Sequence, residues 1–181
     1  MHGDIDEPRI ARWLFGRSES AWIWLILRVY VGYQWAVAGW GKLRTPAWAS
    51  GAELGGFIKG AVGKASGSNP AVQGWYAGFL RSTVLPHLGL WAPLVASGEF
   101  LVGCALVLGL FTGIAAFVGG FMNVSYLLAG TVSTNPILFV IATWLVLAWR
   151  VAGWWGLDRF ILPALGTPWR PGPALHPRGR L

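Results

Sequence analysis

Residues 91–130 read WAPLVASGEFLVGCALVLGLFTGIAAFVGGFMNVSYLLAG, about forty nearly unbroken apolar residues with one acid, Glu99, in the first half. A water-soluble fold of this size has no use for such a run with a lone carboxylate inside it. A membrane hairpin has, because two helices of about 20 residues each fit a ~30 Å hydrocarbon core. The break between them falls at residues 109–113, GLFTG, where the glycines permit a tight turn and Thr112 is placed to cap the second helix. A carboxylate at mid-bilayer depth costs several kcal/mol unless it is neutral or paired. The run therefore predicts a partner for Glu99.

Composition agrees with the hairpin. The 181 residues are 55% hydrophobic and 12% charged, too little charge to cover a soluble globule, and the 13 tryptophans suit helix ends anchored at an interface. The formal charge of +7 sits outside the apolar runs. It reads as topology signal and lipid-headgroup contact, not as a nucleic-acid surface. The single cysteine, Cys104, lies within an apolar run, and no CxxC or CxxCH is present. This argues against c-type haem, iron–sulfur ligation by this chain alone and thiol exchange. His2, His87 and His176 all fall outside the spans, which argues against a bis-histidine haem. No covalently bound cofactor and no metal site is expected. If the chain moves electrons, the carrier is a diffusible quinone or lies on a partner chain.

Read in order, residues 1–20 form a soluble arm with a turn of interfacial helix near Ile10 to Phe15. Mixed charge and a full-length first apolar segment argue against a cleaved signal. Four spans follow, at about 21–43, 88–110, 112–130 and 136–153, with Ser20 capping the first and Pro46 ending it. The expected fold is all-α, a polytopic four-helix membrane bundle. Its long first loop, 44–87, carries two amphipathic segments. One has Leu54, Phe57, Ile58, Ala61 and Val62 on one face, and the other has Trp75, Tyr76, Phe79, Leu80 and Val84. Both read as interfacial helices. Residues 161–181 form a Pro- and Arg-rich tail that reads as disordered from Gly166 onward. Lys and Arg outside the spans favour the terminal side, which predicts both termini in the cytoplasm of a bacterial inner membrane and the long loop outside.

Three polar side chains from three of the spans, Arg28, Glu99 and Asn123, lie at similar depth. At about 1.5 Å per residue, Arg28, Glu99 and Asn123 come within about 5 Å of one another in depth. A buried Arg28–Glu99 pair with Asn123 as hydrogen-bond partner is the expectation. Such a pair can simply fix helix register. The functional reading is an outward-facing polar pocket walled by Trp35, Lys42, Glu99 and Tyr126 and covered by the long loop. Lys42 taken alone reads as an interfacial anchor. His87 reads as an interfacial residue or a proton carrier.

The stretch Gly39-Trp40-Gly41-Lys42-Leu43 after Arg28, the stretch Gly98-Glu99-Phe100-Leu101-Val102-Gly103, Asn135-Pro136 and Gly156-Leu157-Asp158-Arg159 resemble the DoxX/DoxD family of small four-helix membrane proteins. Gly74-Trp75-Tyr76 and Val84-Leu85-Pro86-His87 are closer to the DoxD branch. The resemblance implies the large membrane subunit of a thiosulfate:quinone oxidoreductase, which joins two thiosulfates into tetrathionate, reduces a quinone and has a small second subunit. In that role Lys42, with Arg81, attracts the anion. Glu99 relays protons, Arg28 holds its charge state, and Trp35, Asn123, Tyr126 and His87 line the substrate site. The alternative is a non-catalytic accessory or scaffold subunit of a larger respiratory or redox membrane complex, with lipid and protein partners.

Overall fold

A computed structural model of the chain describes residues 7–168. Every regular element among them is helical. The disordered tail expected from Gly166 lies, from residue 169 onward, outside the described residues. The N-terminal arm is ordered as α1, Arg9–Gly16, one turn longer than expected.

Four long helices pack together: α2 (Ala21–Leu43), α6 (Leu88–Leu108), α7 (Thr112–Leu128) and α8 (Asn135–Leu147). The boundaries fall within two residues of expectation, except that the last helix breaks at Ala148 and resumes as the short α9, Trp149–Ala152. The chain then turns through residues 153–157 into α10, Asp158–Ala164.

Small residues decide how these helices meet. A Cβ built on Gly32 would lie 2.9 Å from the Gly103 carbonyl oxygen and from Leu106 Cβ, and one on Gly39 would lie 2.9 Å from the Ala96 carbonyl oxygen. Gly103 in turn faces the backbone of Ala36. As numbering rises along α2 it falls along α6, so the two run antiparallel with their backbones in contact, as small-residue seams allow. α7 and α8 repeat the arrangement, with Gly113 against Trp149 and Gly120 facing Ala142. Between the two pairs lies a core of Trp24, Val31, Trp35, Val102, Leu106, Ala116 and Leu145.

The faces turned away from this core are also apolar. Leu90, Leu94 and Leu101 on α6 and Ile114, Phe117 and Phe121 on α7 are all more than half exposed. A helix apolar on every side belongs in a large core or in lipid. One continuous helix, Gly74–Leu108, is long and apolar enough to cross a membrane; Thr112–Leu128 and Asn135–Leu147 are apolar but shorter. α2 has the length, at 23 residues, but carries Arg28 and Lys42.

The long loop is a folded cap. It holds α3 (Pro46–Ala49), α4 (Ala52–Gly63) and α5 (Gly74–Phe79). Leu54, Ile58 and Ala61 on α4 are buried, with Tyr76, Leu80 and Val84, in a second apolar cluster that also takes in Ala92, Ala96 and Ala129. The periodic faces read from the sequence are therefore the buried or half-buried ones, apart from Trp75 and Phe79, which are exposed. The second loop helix is not separate. It runs through a π turn, Leu80–Val84, and a 3₁₀ turn, Leu85–His87, straight into α6. Tyr76 Oη donates to the Ser125 carbonyl at 2.9 Å and Lys64 Nζ to the Gly130 carbonyl at 3.0 Å, tying the cap to the end of α7.

Candidate functional site

Glu99 is 1% exposed, on the α6 face that meets α2. Its partner is Lys42, not Arg28. Lys42 Nζ stands 2.6 Å from Glu99 Oε2, and the phenol of Tyr126 donates to Oε1. An amine and a phenol from two other helices thus close on one carboxylate. The Lys42 ammonium also lies 5.1 Å from the centre of the Trp48 ring, a cation–π distance. Tyr126 is held from both sides, stacked on Trp35 at 6.3 Å and met edge-on by Phe57 at 6.0 Å. Trp48 is fixed by its indole N–H, which donates to the Ala92 carbonyl at 2.8 Å.

These groups form the back of a cavity of about 490 Å³ between α2, α8 and the loop cap. Glu99, Trp35 and Leu138 are its buried floor, Phe57 and Trp48 come from the loop, and the exposed Val37, Ser133 and Thr134 form the rim. Its size falls in the range of small-molecule sites. The pocket expected from the sequence, with Trp35, Lys42, Glu99 and Tyr126 in its wall and the 44–87 loop over it, exists as a cavity. The sequence places Phe57 only on an apolar loop face and does not assign Trp48 or the 131–135 turn to this pocket. Trp48 carried a usable signal, a tryptophan six residues beyond a lysine at a helix end.

Arg28 sits elsewhere, and the expected Arg28–Glu99 pair does not form. Gly32 faces residues 103–107, so Arg28, one turn earlier, faces the end of α6. That is about ten residues, or roughly 15 Å, from Glu99. The depth argument assumed helices flush at their ends, whereas the glycine seam sets the register. Arg28 Nη1 donates to the Leu106 carbonyl at 2.8 Å, and Nη2 donates to the Trp155 carbonyl at 3.1 Å. A cation thus meets the carbonyl end of a helix, where the dipole favours it.

Asp158 completes that end. Its Oδ1 accepts the Phe111 N–H at 2.5 Å and its Oδ2 the Thr112 N–H at 2.8 Å, while its own N–H donates to the Gly109 carbonyl at 2.8 Å. Asp158, not Thr112, therefore caps α7; the Thr112 hydroxyl is buried without a hydrogen-bond partner among the described residues. Ser20 likewise leaves α2 uncapped and donates back to the Leu14 and Arg17 carbonyls. Asn123, expected beside the ion pair, is fully buried, and neither of its amide atoms finds a partner among the described residues. It shares a face of α7 with Gly119 and Tyr126 by helical spacing. His87 stands apart from the cavity, exposed, with Nδ1 2.9 Å from the Thr83 carbonyl oxygen.

The sequence model of the DoxX family matches residues 23–132. The chain belongs to the DoxX family. That family is generally membrane-associated. The match takes in Arg28, Trp35, Lys42, Glu99, Asn123 and Tyr126, while Leu138 of the cavity floor and Asp158 lie beyond it. Comparison with curated proteins and with solved structures returns no match.

Proposed function

We propose that this DoxX protein is the integral membrane subunit of a quinone-linked oxidoreductase, and that the Glu99 cavity receives the quinone headgroup. The four long helices are read as spans because their outward faces are apolar over their length. Both termini then lie on one side, the cytoplasmic side of a bacterial inner membrane, with the cavity toward the other.

The observation that carries the reading is the Lys42–Glu99–Tyr126 cluster at the back of an aromatic cavity. Lys42 is compensated by Glu99, so the site offers hydrogen-bond donors without net charge. Aromatic walls from Trp35, Trp48, Phe57 and Tyr126 suit a flat, uncharged ring. The exposed rim on the flank between α2 and α8 gives a lipid-soluble ligand a lateral route. Bound there, a quinone accepts two electrons and two protons. Tyr126 holds a proton at the wall, Lys42 sets a positive charge beside Glu99, and the carboxylate between them is the group that takes up and passes on each proton.

A dianion gains less from this site, because its one cation is already paired. We therefore assign the quinone to the cavity and leave thiosulfate, the donor implied by the family resemblance, to an outer surface or to a partner subunit. Two thiosulfates joined into one tetrathionate release the two electrons that the quinone takes.

The test is quenching of tryptophan fluorescence in the purified protein by a short-tailed quinone, paired with thiosulfate-dependent quinone reduction in membranes. Wild type is expected to show saturable quenching and turnover. Glu99→Gln is expected to keep its thermal midpoint within a few degrees and to lose at least tenfold in turnover. Wild-type turnover in Glu99→Gln would overturn the role of the acid. Unsaturable quenching together with tightly co-purifying redox subunits would support the accessory reading instead.

A further inference from the structure

The bundle end opposite the cavity holds three exposed arginines, Arg9, Arg12 and Arg150, that pair with no acid among the described residues. α1 is strongly amphipathic. Its Leu14 and Phe15 pack on the core, with Phe15 5.3 Å from Trp24, and the Leu14 carbonyl accepts the Trp24 indole N–H at 2.8 Å. Those contacts fix α1 against the bundle end. They leave Ile10 78% exposed and Trp13 38% exposed, with Arg9 and Arg12 exposed beside them.

Next to α1 lies a cleft of about 320 Å³, lined by Gly16, Ser18, Arg150, Val151, Trp154 and Pro168. Arg150 is exposed. Among the described residues the ion pairs are Arg17–Glu19 and Lys42–Glu99, so no acid answers Arg150. The nearby Asp158 is buried with both oxygens committed to backbone N–H groups. The cleft therefore combines a guanidinium unpaired among the described residues with a hydroxyl from Ser18, and α1, whose Gly16 lines it, carries the exposed Trp13 and Ile10 one and two turns earlier.

We infer that this cleft binds the headgroup of an anionic phospholipid. Arg150 takes the phosphodiester, Arg9 and Arg12 strengthen the local field, and an acyl chain lies along Ile10 and Trp13. Guanidinium matches phosphate in fork geometry. The apolar edge distinguishes a lipid from free phosphate, which has no use for it. The inference rests on the membrane reading above.

The test is native mass spectrometry of the full chain released from detergent micelles and titrated with phosphatidylglycerol or with phosphatidylcholine of the same acyl chains. A protein that stays in solution without detergent overturns the membrane reading itself. Given a detergent-dependent protein, phosphatidylglycerol is expected to form the first adduct at a lower concentration than phosphatidylcholine. Arg150→Ala is expected to weaken that adduct about fivefold, the worth of one surface arginine near anionic lipid. Arg150→Lys is expected to keep most of the preference, and Arg81→Ala, on the loop cap, to leave it unchanged. Equal binding of the two lipids overturns the site. So does equal weakening by Arg150→Ala and Arg81→Ala, or displacement of the adduct by millimolar inorganic phosphate.

Discussion

Arg28 and Asp158 divide one helix turn between them: Arg28 holds the carbonyl end of α6, and Asp158 holds the amide end of α7. The turn they grip is strained, since Phe111 has φ 45°, a left-handed conformation that costs a non-glycine residue about 1 kcal/mol. The carboxylate receives the Phe111 N–H and so stabilises that conformation directly. It also lies near the buried guanidinium, which would otherwise have only backbone dipoles to offset its charge.

Removing Asp158 is expected to be the most destabilising single truncation at this end. Asp158→Ala deletes two charge-assisted caps and leaves Arg28 buried without a counter-charge, a loss of about 3 kcal/mol or more. Asp158→Asn keeps an acceptor for one N–H and should fall between alanine and wild type. Thermal unfolding in detergent checks the order. Equal midpoints for wild type and Asp158→Ala would show that the caps contribute nothing.

The glycine seam makes a paired prediction. Gly103→Ala would drive a methyl group into the Ala36 backbone and force α2 and α6 apart, so the variant is expected to fold poorly or to lose about 3 kcal/mol. Gly41, also on α2, has nothing within 4 Å of its missing Cβ. Gly41→Ala is expected to raise stability by about 0.5–1 kcal/mol through the lost freedom of the unfolded chain. Size-exclusion profiles and thermal midpoints of the two variants separate seam packing from a general intolerance of substitution in α2.

The four-span reading fixes which residues share a side. In a Cys104→Ser background, Ser68→Cys in the loop and Thr134→Cys in the α7–α8 turn are both exposed and are expected to react with a membrane-impermeant maleimide in intact cells. Glu19→Cys is expected to react only after the membrane is opened. Labelling of Glu19→Cys and Thr134→Cys from the same side would rule out four spans.

The helices themselves were legible because apolar periodicity and glycine breaks act over short distances. The loop faces around Leu54, Ile58, Tyr76 and Leu80 were legible for the same reason. The cavity wall could be read from Trp35, Lys42, Glu99 and Tyr126 because each is polar or aromatic where aliphatic packing would do. The ion-pair partners were not legible. Pairing depends on axial register, and register depends on where Gly32, Gly39 and Gly103 let two backbones touch, a relation between distant segments that depth counting ignores. Asp158 was missed because its partners, the N–H groups of Phe111 and Thr112, carry no mark in a sequence.

The helix from Gly74 to Leu108 spans roughly 50 Å at 1.5 Å per residue. Tyr76 near one end is hydrogen-bonded to α7, and Glu99 lies about three quarters of the way along. One helix of the loop cap, α5, and the acid are therefore parts of one rod, while Trp48 and Phe57, the cap residues that line the cavity, stand on α3 and α4. A load on Trp48 or Phe57 passes through the apolar contacts of the cap with Tyr76, Leu80 and Val84 into the same helix that carries the carboxylate, so the cover hangs on the shaft that holds the floor.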